Sequence, residues 1–315
     1  MAVPETPGLT RRSVLTGAAA LLAAGTAGLA VPAPARAAGL TQIRAAAAGW
    51  TGRDGEVLVL TADSATEEDY ALRLLHGTEP AELGPPLPLS LPLDFHPHSM
   101  AALGDTLWIT GAAELAPDRA RPALVRVRDN TAAYAALPVP KTIRSGIATA
   151  IAPVGPRGLA VVIEGGPDPH LAVITRAHLA RTADGGRTWT DRTLADGLGE
   201  GYGTVLTAHG TGLFIATANG QGTQTIRTAA GRSAPTRAAE TAEAGRPMAA
   251  VAAADHVSVF SDHHGTVTET RYTPTGSLLE AAPSCACRGE VLAVPGRPGA
   301  WLETDGRTIR IRGAN

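Results

Sequence analysis

The sequence has few aromatic residues and no excess of either charge. Aromatic residues make up 3% of the 315 residues, which argues against the stacking surfaces that single-stranded nucleic acids require. The formal net charge is −2, so nothing in the charge balance points to nucleic acid or to an acidic membrane surface. Long helices are also excluded, because after the N-terminal segment the alanine-rich runs are interrupted by glycine and proline and show no sustained period of 3.6 residues.

Cysteine is nearly absent as well. The two cysteines, Cys285 and Cys287, are separated by one residue. In an extended strand their Cα atoms would lie about 6.6 Å apart with both side chains on one face, near the limit for a disulfide. A strained disulfide and a reduced pair are both compatible with this spacing.

One charge-free segment stands out at the N-terminus, where residues 13–35 follow the paired Arg11 and Arg12. Paired arginines before a mildly apolar segment are typical of a twin-arginine export signal, and residues 35–37 fit signal-peptidase cleavage. The alternative is an uncleaved anchor, since the segment could span a bilayer. Its glycine and proline content favours removal. We expect residues 1–37 to be a signal peptide and residues 38–315 a secreted single domain without stable membrane association.

A repeated unit recurs six times in the mature chain: a run of small apolar residues, a Gly or Asp turn, and a second β-rich run. The turns recur every 43 to 54 residues or so, close to the ~40 to 50 residues of a four-stranded propeller blade. The turn residues are Gly55, Gly104, Gly158, Gly212, Asp255 and Gly299. The repeat predicts an all-β, six-bladed β-propeller of four-stranded antiparallel blades. The predicted third strands are 70–75, 123–128, 177–181, 223–227, 267–272 and 308–312.

The two ends of the domain are predicted to meet. The sixth repeat ends with its third strand at residue 312, whereas residues 40–44 form a β-compatible piece before the first repeat. Pairing this piece with the last blade would remove an exposed sheet edge. We therefore expect an N-terminal strand to act as a latch that closes a monomeric ring.

The most specific motif is the octet Thr-Ala-Asp-Gly-Gly-Arg-Thr-Trp at residues 182–189. It resembles the Asp-box, or BNR repeat, of the sialidase-like β-propellers, with matching residues at Thr182, Asp184, Gly186, Thr188 and Trp189. The resemblance implies a hairpin between the third and fourth strands of a blade, on the side away from the ligand pocket, with the tryptophan packed between blades. Asp184 is then a structural residue.

In a propeller, ligands meet the loops that enter each first strand and the loops between second and third strands. The entry loops contain four candidate anion-binding arginines, Arg44, Arg144, Arg246 and Arg288. The other loops contain the acidic candidates Glu114, Glu164 and Asp262. The sialidase resemblance further implies that Arg44 binds a carboxylate, that Asp69 acts as general acid and base, and that Glu200, with Tyr202 nearby, belongs to the catalytic set.

This catalytic set is incomplete. The family's second and third arginines would fall near Asn219 and near His263 or His264, and its nucleophilic tyrosine near residues 285–288, where the required residues are missing. Binding of a substrate carboxylate needs several convergent guanidinium groups. Glycoside cleavage in this family also needs a tyrosine that a neighbouring carboxylate makes nucleophilic. We therefore expect a binding or scaffold protein for a small or carbohydrate ligand, with Arg144, Arg246 and Arg288 as a substitute anion clamp. The alternative is an exo-glycosidase of sialidase type.

Histidines provide a weaker alternative site. His96, His98, His263 and His264 are predicted for the same face of the ring as the cysteine pair, and such ligands suit zinc or copper. Solvated loop histidines are the simpler interpretation. The sequence therefore predicts no metal or cofactor.

Overall fold

The computed structural model describes ten segments of the chain, and their regular secondary structure is β. The described segments are 41–48, 57–63, 70–75, 83–87, 89–116, 119–169, 174–197, 203–281, 289–304 and 309–313. Within these segments, no helix has the length and apolar character needed to cross a membrane.

The strands form antiparallel sheets in which neighbours along the chain are also neighbours in space. Blade one contains β1 (Thr41–Ala48), β2 (Val57–Asp63), β3 (Tyr70–Leu75) and β4 (Leu83–Pro86), and blade two contains β5 (Phe95–Leu103), β6 (Thr106–Ala116), β7 (Arg119–Arg128) and β8 (Thr131–Ala135). Blade three contains β9 (Ser145–Val154), β10 (Gly158–Gly166), β11 (Arg176–Thr182) and β12 (Thr190–Asp196), and blade four contains β13 (Thr204–His209), β14 (Gly212–Ala218), β15 (Gln224–Ala229) and β16 (Thr236–Thr241). Blade five contains β17 (Arg246–Ala252), β18 (Val257–His263), β19 (Thr266–Tyr272) and β20 (Leu278–Ala281), and a three-stranded sheet contains β21 (Glu290–Ala293), β22 (Trp301–Thr304) and β23 (Ile309–Arg312).

The first strands of the sheets contact one another in succession. β1 contacts β5, β5 contacts β9, β9 contacts β13, β13 contacts β17, β17 contacts β21, and β21 contacts β1. The sheets are therefore arranged around a centre lined by their first strands, with later strands lying further out. This arrangement is a β-propeller with four-stranded antiparallel blades.

Two details of the predicted ring are corrected. Five sheets have four strands, whereas the last sheet has three among the described residues. The predicted latch is wrong, because Thr41–Ala48 is one continuous strand that pairs with β2. The register shifts between Ile43 and Ala45, so Arg44 occupies an irregularity that lets the strand continue instead of ending there. Residues 41–44 thus belong to blade one and are not an outer strand of the last sheet.

The core is divided into apolar clusters that each join adjacent sheets. Leu60 of blade one packs in one cluster with Met100 of blade two, and Phe260 of blade five packs with Trp301 of the three-stranded sheet. The second strands supply much of this core; every residue of β10 is buried. Because full burial of a large apolar side chain is worth about 1.5–3 kcal/mol, these interfaces hold the sheets in fixed positions around the centre.

Candidate functional site

One face of the ring collects the points where first strands begin and second strands end; we call it the entry face. The strand register defines this face. In blade five Arg246, the first residue of β17, lies opposite Asp262 near the end of β18. In blade three Glu164, near the end of β10, lies opposite Ile147 near the start of β9. Antiparallel pairing therefore places acidic and basic side chains from different blades at the same edge of the ring.

Glu164 is the central residue of this face. Glu164 follows the apolar residues of β10, and only 2% of its surface is exposed. Burial raises the pKa of its carboxyl to about 7, although the neighbouring Thr204 and the positive charge of Arg246 act in the opposite direction. The Oε1 atom is buried and has no hydrogen-bond partner among the described residues. Such an atom costs about 1–3 kcal/mol, so Glu164 is an acceptor available for a polar partner.

Arg246 supplies the complementary charge. Burial lowers the pKa of its guanidinium, while the carboxylates of Glu164 and Asp262 raise it. The chain approaches closely here, because a Cβ atom at Gly203 would lie 2.8 Å from the Pro247 carbonyl oxygen and 3.5 Å from Arg246 Nε. Glycine at 203 therefore permits the start of blade four to pack against Arg246. The half-buried guanidinium of Arg246 in blade five thus lies near the buried carboxyl group of Glu164 in blade three, and the start of blade four packs against Arg246.

A second group of ionisable side chains lies where blades one and two meet on the entry face. The Nε2 atom of His96 lies 3.5 Å from Oε2 of Glu114. The ring of Tyr70, at the start of β3, is nearly perpendicular to the His96 ring, with centroids 6.5 Å apart. His98 reaches the next blade, with Nδ1 3.0 Å from the carbonyl oxygen of Thr149 in blade three.

The predicted metal ligands stay in separate blades. His96 and His98 belong to β5 of blade two, whereas His263 and His264 lie at the end of β18 in blade five. The rings of the latter two are tilted against each other with centroids 4.6 Å apart. No group of three or more metal-ligating side chains occurs in the portion of the chain that is described.

The predicted anion-binding arginines divide in a similar way. Arg44 lies in β1 of blade one. Arg144 precedes β9, is exposed, and donates its backbone amide to the carbonyl oxygen of Gly166 at 2.8 Å. Among the predicted arginines whose side chains are described, Arg246 is the one brought near a buried acid. The remaining predicted site residues and both cysteines lie outside the described residues; they are Asp69, Glu200, Tyr202, Arg288, Cys285 and Cys287.

The turn at residues 182–189 connects β11 and β12 at the edge opposite the entry face, since Thr182 pairs with Leu159 near the start of β10. The Asp184 carboxylate closes this turn. Its Oδ1 accepts bonds from the backbone amides of Arg187 and Thr188 at 3.0 and 2.9 Å, and its Oδ2 accepts the Thr188 hydroxyl at 2.6 Å. These bonds, Thr188 first, hold the pKa of Asp184 far below its usual range. The carboxylate is occupied within the turn.

The same turn contacts the neighbouring blade. Gly186 has φ +82°, and a Cβ atom there would lie 2.9 Å from Cη2 of Trp108 in blade two. The Trp189 indole donates to the Gly186 carbonyl oxygen at 3.1 Å, and its ring packs against the cluster shared by blades two and three. The close approach requires glycine both for its backbone conformation and for the space.

The sequence places Glu164 among the loop candidates but does not distinguish it as a site residue. The signal was present: a single acidic residue ends the apolar run Leu-Ala-Val-Val-Ile of β10. An acid in a strand that is otherwise buried must itself be buried or exposed at the strand's end, and a buried acid with a raised pKa indicates a functional site.

The fold is shared with known sugar-related proteins. No family model matches the chain, and no curated protein matches its sequence. A mutant of the Aleuria aurantia lectin in complex with α-methyl-L-fucoside aligns with a TM-score of 0.57 and 13% identity, covering 86% of this chain and 90% of the lectin. A gluconolactonase from Xanthomonas campestris aligns with a TM-score of 0.52 and 14% identity, covering 87% of this chain and 86% of the gluconolactonase. A glucose dehydrogenase aligns with a TM-score of 0.56 and 13% identity, covering 87% of this chain and 96% of the dehydrogenase. These likenesses show a β-propeller; the sialidase-like resemblance stays a prediction.

Proposed function

We propose that the chain is an exported carbohydrate-binding β-propeller whose ligand is held on the entry face by Glu164, Thr204 and Arg246. The observation that carries the proposal is the buried Glu164 carboxyl group, which has an acceptor oxygen without a partner among the described residues and a guanidinium nearby. A buried polar atom is normally paired. A ligand hydroxyl group would supply the missing partner.

The chemistry of this pair suits a hydroxyl-rich ligand. A carboxylate accepts hydrogen bonds only, whereas a guanidinium donates several from a rigid fork. Neighbouring hydroxyl groups on a sugar can donate to the first and accept from the second. The lectin, gluconolactonase and glucose dehydrogenase that share the fold support this ligand class by their names. We favour binding over catalysis, because the sialidase-like catalytic set is incomplete in the sequence, where the positions of its second and third arginines and of its tyrosine hold other residues.

We also propose that the three-stranded sheet is a sixth blade. Its first strand, β21, contacts β17 on one side and β1 on the other. It thus occupies the position that a blade needs between blade five and blade one. One of the lectin structures with this fold is described as a six-bladed β-propeller.

Ligand binding can be tested by probing residues 38–315 on a glycan array and titrating the best ligand by calorimetry. Arg246→Ala and Glu164→Gln should each weaken binding about tenfold or more, because a hydrogen bond to a charged group is worth about 1.5–3 kcal/mol. The control is Arg157→Ala, an exposed arginine in the turn after β9 on the opposite face, which should bind like the unmodified protein. Unchanged affinity in both entry-face variants, with melting temperatures preserved, would refute the proposed site.

A further inference from the structure

A cleft of about 320 Å³ lies in blade two, between the end of β6, the start of β7 and the segment that follows β8. Its walls include Asp94, Leu115, Arg121, Tyr134, Leu137 and Val139. None of these residues takes part in the Glu164 cluster. The volume is at the lower end of the ~300–1,000 Å³ range of small-molecule sites, so the cleft suits a ligand of one or two rings.

The polar groups of the cleft lie together and are incompletely paired. The Tyr134 hydroxyl donates to Oδ1 of Asp94 at 2.9 Å. Oδ2 of Asp94 and the guanidinium of Arg121 have no hydrogen-bond or ion-pair partner among the described residues. Burial, and then the bond to Asp94 and its charge, raise the pKa of Tyr134 well above its usual range. The tyrosine therefore stays a neutral donor, leaving one carboxylate oxygen and one guanidinium for a ligand.

Two of these polar residues, Asp94 and Tyr134, are held in place before any ligand arrives. The backbone amide of Glu114 donates to the carbonyl oxygen of Asp94 at 2.8 Å, which ties the approach to β5 onto the end of β6. The ring of Tyr134 meets the buried ring of Phe95 edge-on, with centroids 6.0 Å apart and planes 85° apart. A site whose side chains are already fixed loses less conformational entropy on binding.

The rest of the cleft is apolar and open to solvent. Leu115 is 56% exposed and Tyr134 is 45% exposed, while Leu137 and Val139 are half-buried beside the groove. An exposed leucine and an exposed tyrosine that line one cleft mark a surface suited to binding. The cleft thus combines an apolar wall with a carboxylate and a guanidinium, a combination that suits a ligand with one apolar face and several hydroxyl groups.

We propose that this cleft binds a single pyranose residue of a glycan, separately from the entry-face site. The C–H face of the sugar lies on the wall of Leu115, Leu137 and Val139. Adjacent hydroxyl groups donate to Oδ2 of Asp94 and accept from Arg121. The inference rests on the proposed carbohydrate function for its ligand class, but its location rests on the cleft alone.

Fluorine NMR provides a direct readout, because the chain has only four tyrosines. The protein is labelled with 3-fluorotyrosine, and the Tyr134 signal is assigned as the one lost in Tyr134→Phe. The probes are the methyl α-pyranosides of glucose, galactose, mannose and fucose. At least one should shift the Tyr134 signal saturably, with a Kd on the order of 1 mM, as expected for a ligand of this size.

Matched variants locate the binding within the cleft. Asp94→Asn, which keeps an acceptor for the Tyr134 hydroxyl, and Arg121→Ala should each weaken the titration about tenfold. Arg128→Ala is the control, since Arg128 is an exposed arginine at the far end of the same strand, paired with Asp105 at 3.4 Å; it should leave the titration unchanged. Melting temperatures establish that each variant is folded.

The outcomes separate this inference from the proposed function. In one outcome the glycan array and calorimetry detect a ligand whose affinity is the same in all cleft variants, and no pyranoside shifts the Tyr134 signal. The cleft is then not a sugar site, while the proposed function stands. If neither the array nor the fluorine titration detects any sugar, both proposals are overturned. A saturable Tyr134 shift that Asp94→Asn and Arg121→Ala abolish supports the cleft even when Arg246→Ala has no effect on binding.

Discussion

At the scale of single residues, Glu164 shows how burial sets chemistry. Glu164 follows the apolar residues of β10, and burial away from water raises the pKa of its carboxyl group from 4.5 to about 7. Both charge states are then populated near neutral pH. In the unfolded chain Glu164 ionises at the ordinary pKa of 4.5. Folding therefore becomes less favourable as the pH rises from 4.5 to about 7, whereas below pH 4.5 the ionisation of Glu164 does not change the stability.

This linkage can be measured with Glu164→Gln. The difference between 4.5 and about 7 corresponds to about 3 kcal/mol, so the unmodified protein should lose roughly that much stability between pH 4.5 and 7.5 through this group. The glutamine variant removes the ionisation, and its free energy of unfolding should depend less on pH over the same interval. Denaturant unfolding at several pH values compares the two proteins. Parallel pH profiles would contradict the raised pKa.

At the scale of elements, the sequence was most informative where side chains determine backbone conformation. The octet at 182–189 predicted a hairpin, and the structure has a turn there closed by Asp184. The inner strands were also predictable, because their apolar runs alternate with glycine turns. The fourth strands were not: all four residues of β20 are exposed, so no apolar pattern distinguishes this strand from a loop. The continuation of β1 through Arg44 was missed because a bulge leaves no signature in periodicity.

The role of the turn can be tested with Asp184→Ala. Removing the carboxylate leaves the amides of Arg187 and Thr188 without their acceptor, so the melting temperature should fall while ligand binding at the entry face is unchanged. The depressed pKa means that the stabilisation by Asp184 is present above about pH 4 and is lost at lower pH, so the two proteins should differ less in acid. Asp191→Ala, an exposed aspartate in β12, is the control for thermal melting. Loss of binding with unchanged melting would place the turn in the site.

At the scale of the whole molecule, the proposed site is assembled from residues that are far apart in the sequence. Glu164, Thr204 and Arg246 belong to three successive blades, and the repeat predicted that such positions share one face. It could not predict which of them approach each other, because that depends on how closely adjacent blades pack, as at Gly203. The blade-two cleft was missed for the same reason: Asp94 and Tyr134 are joined only by the folding of that sheet.

Export also concerns the whole chain, and it stays a prediction. Changing Arg11 and Arg12 together to lysine preserves the positive charge and removes only the paired guanidinium groups, so it tests the twin-arginine signal specifically. We expect precursor to accumulate in the cytoplasm, and the secreted form of the unmodified protein to begin at Ala38. Cell fractionation and N-terminal sequencing measure both. Undiminished secretion of the double variant would exclude this route.

The contact between β21 and β1 has a consequence for the order in which the molecule folds. Among the described residues, the other contacts between first strands join sheets that are consecutive along the chain, so these sheets can associate through short connections. The contact between β21 and β1 alone requires segments from opposite ends of the described chain to meet, and the entropy cost of closing a loop increases with its length. We therefore expect the blades to form and stack progressively, with this junction forming last and opening first.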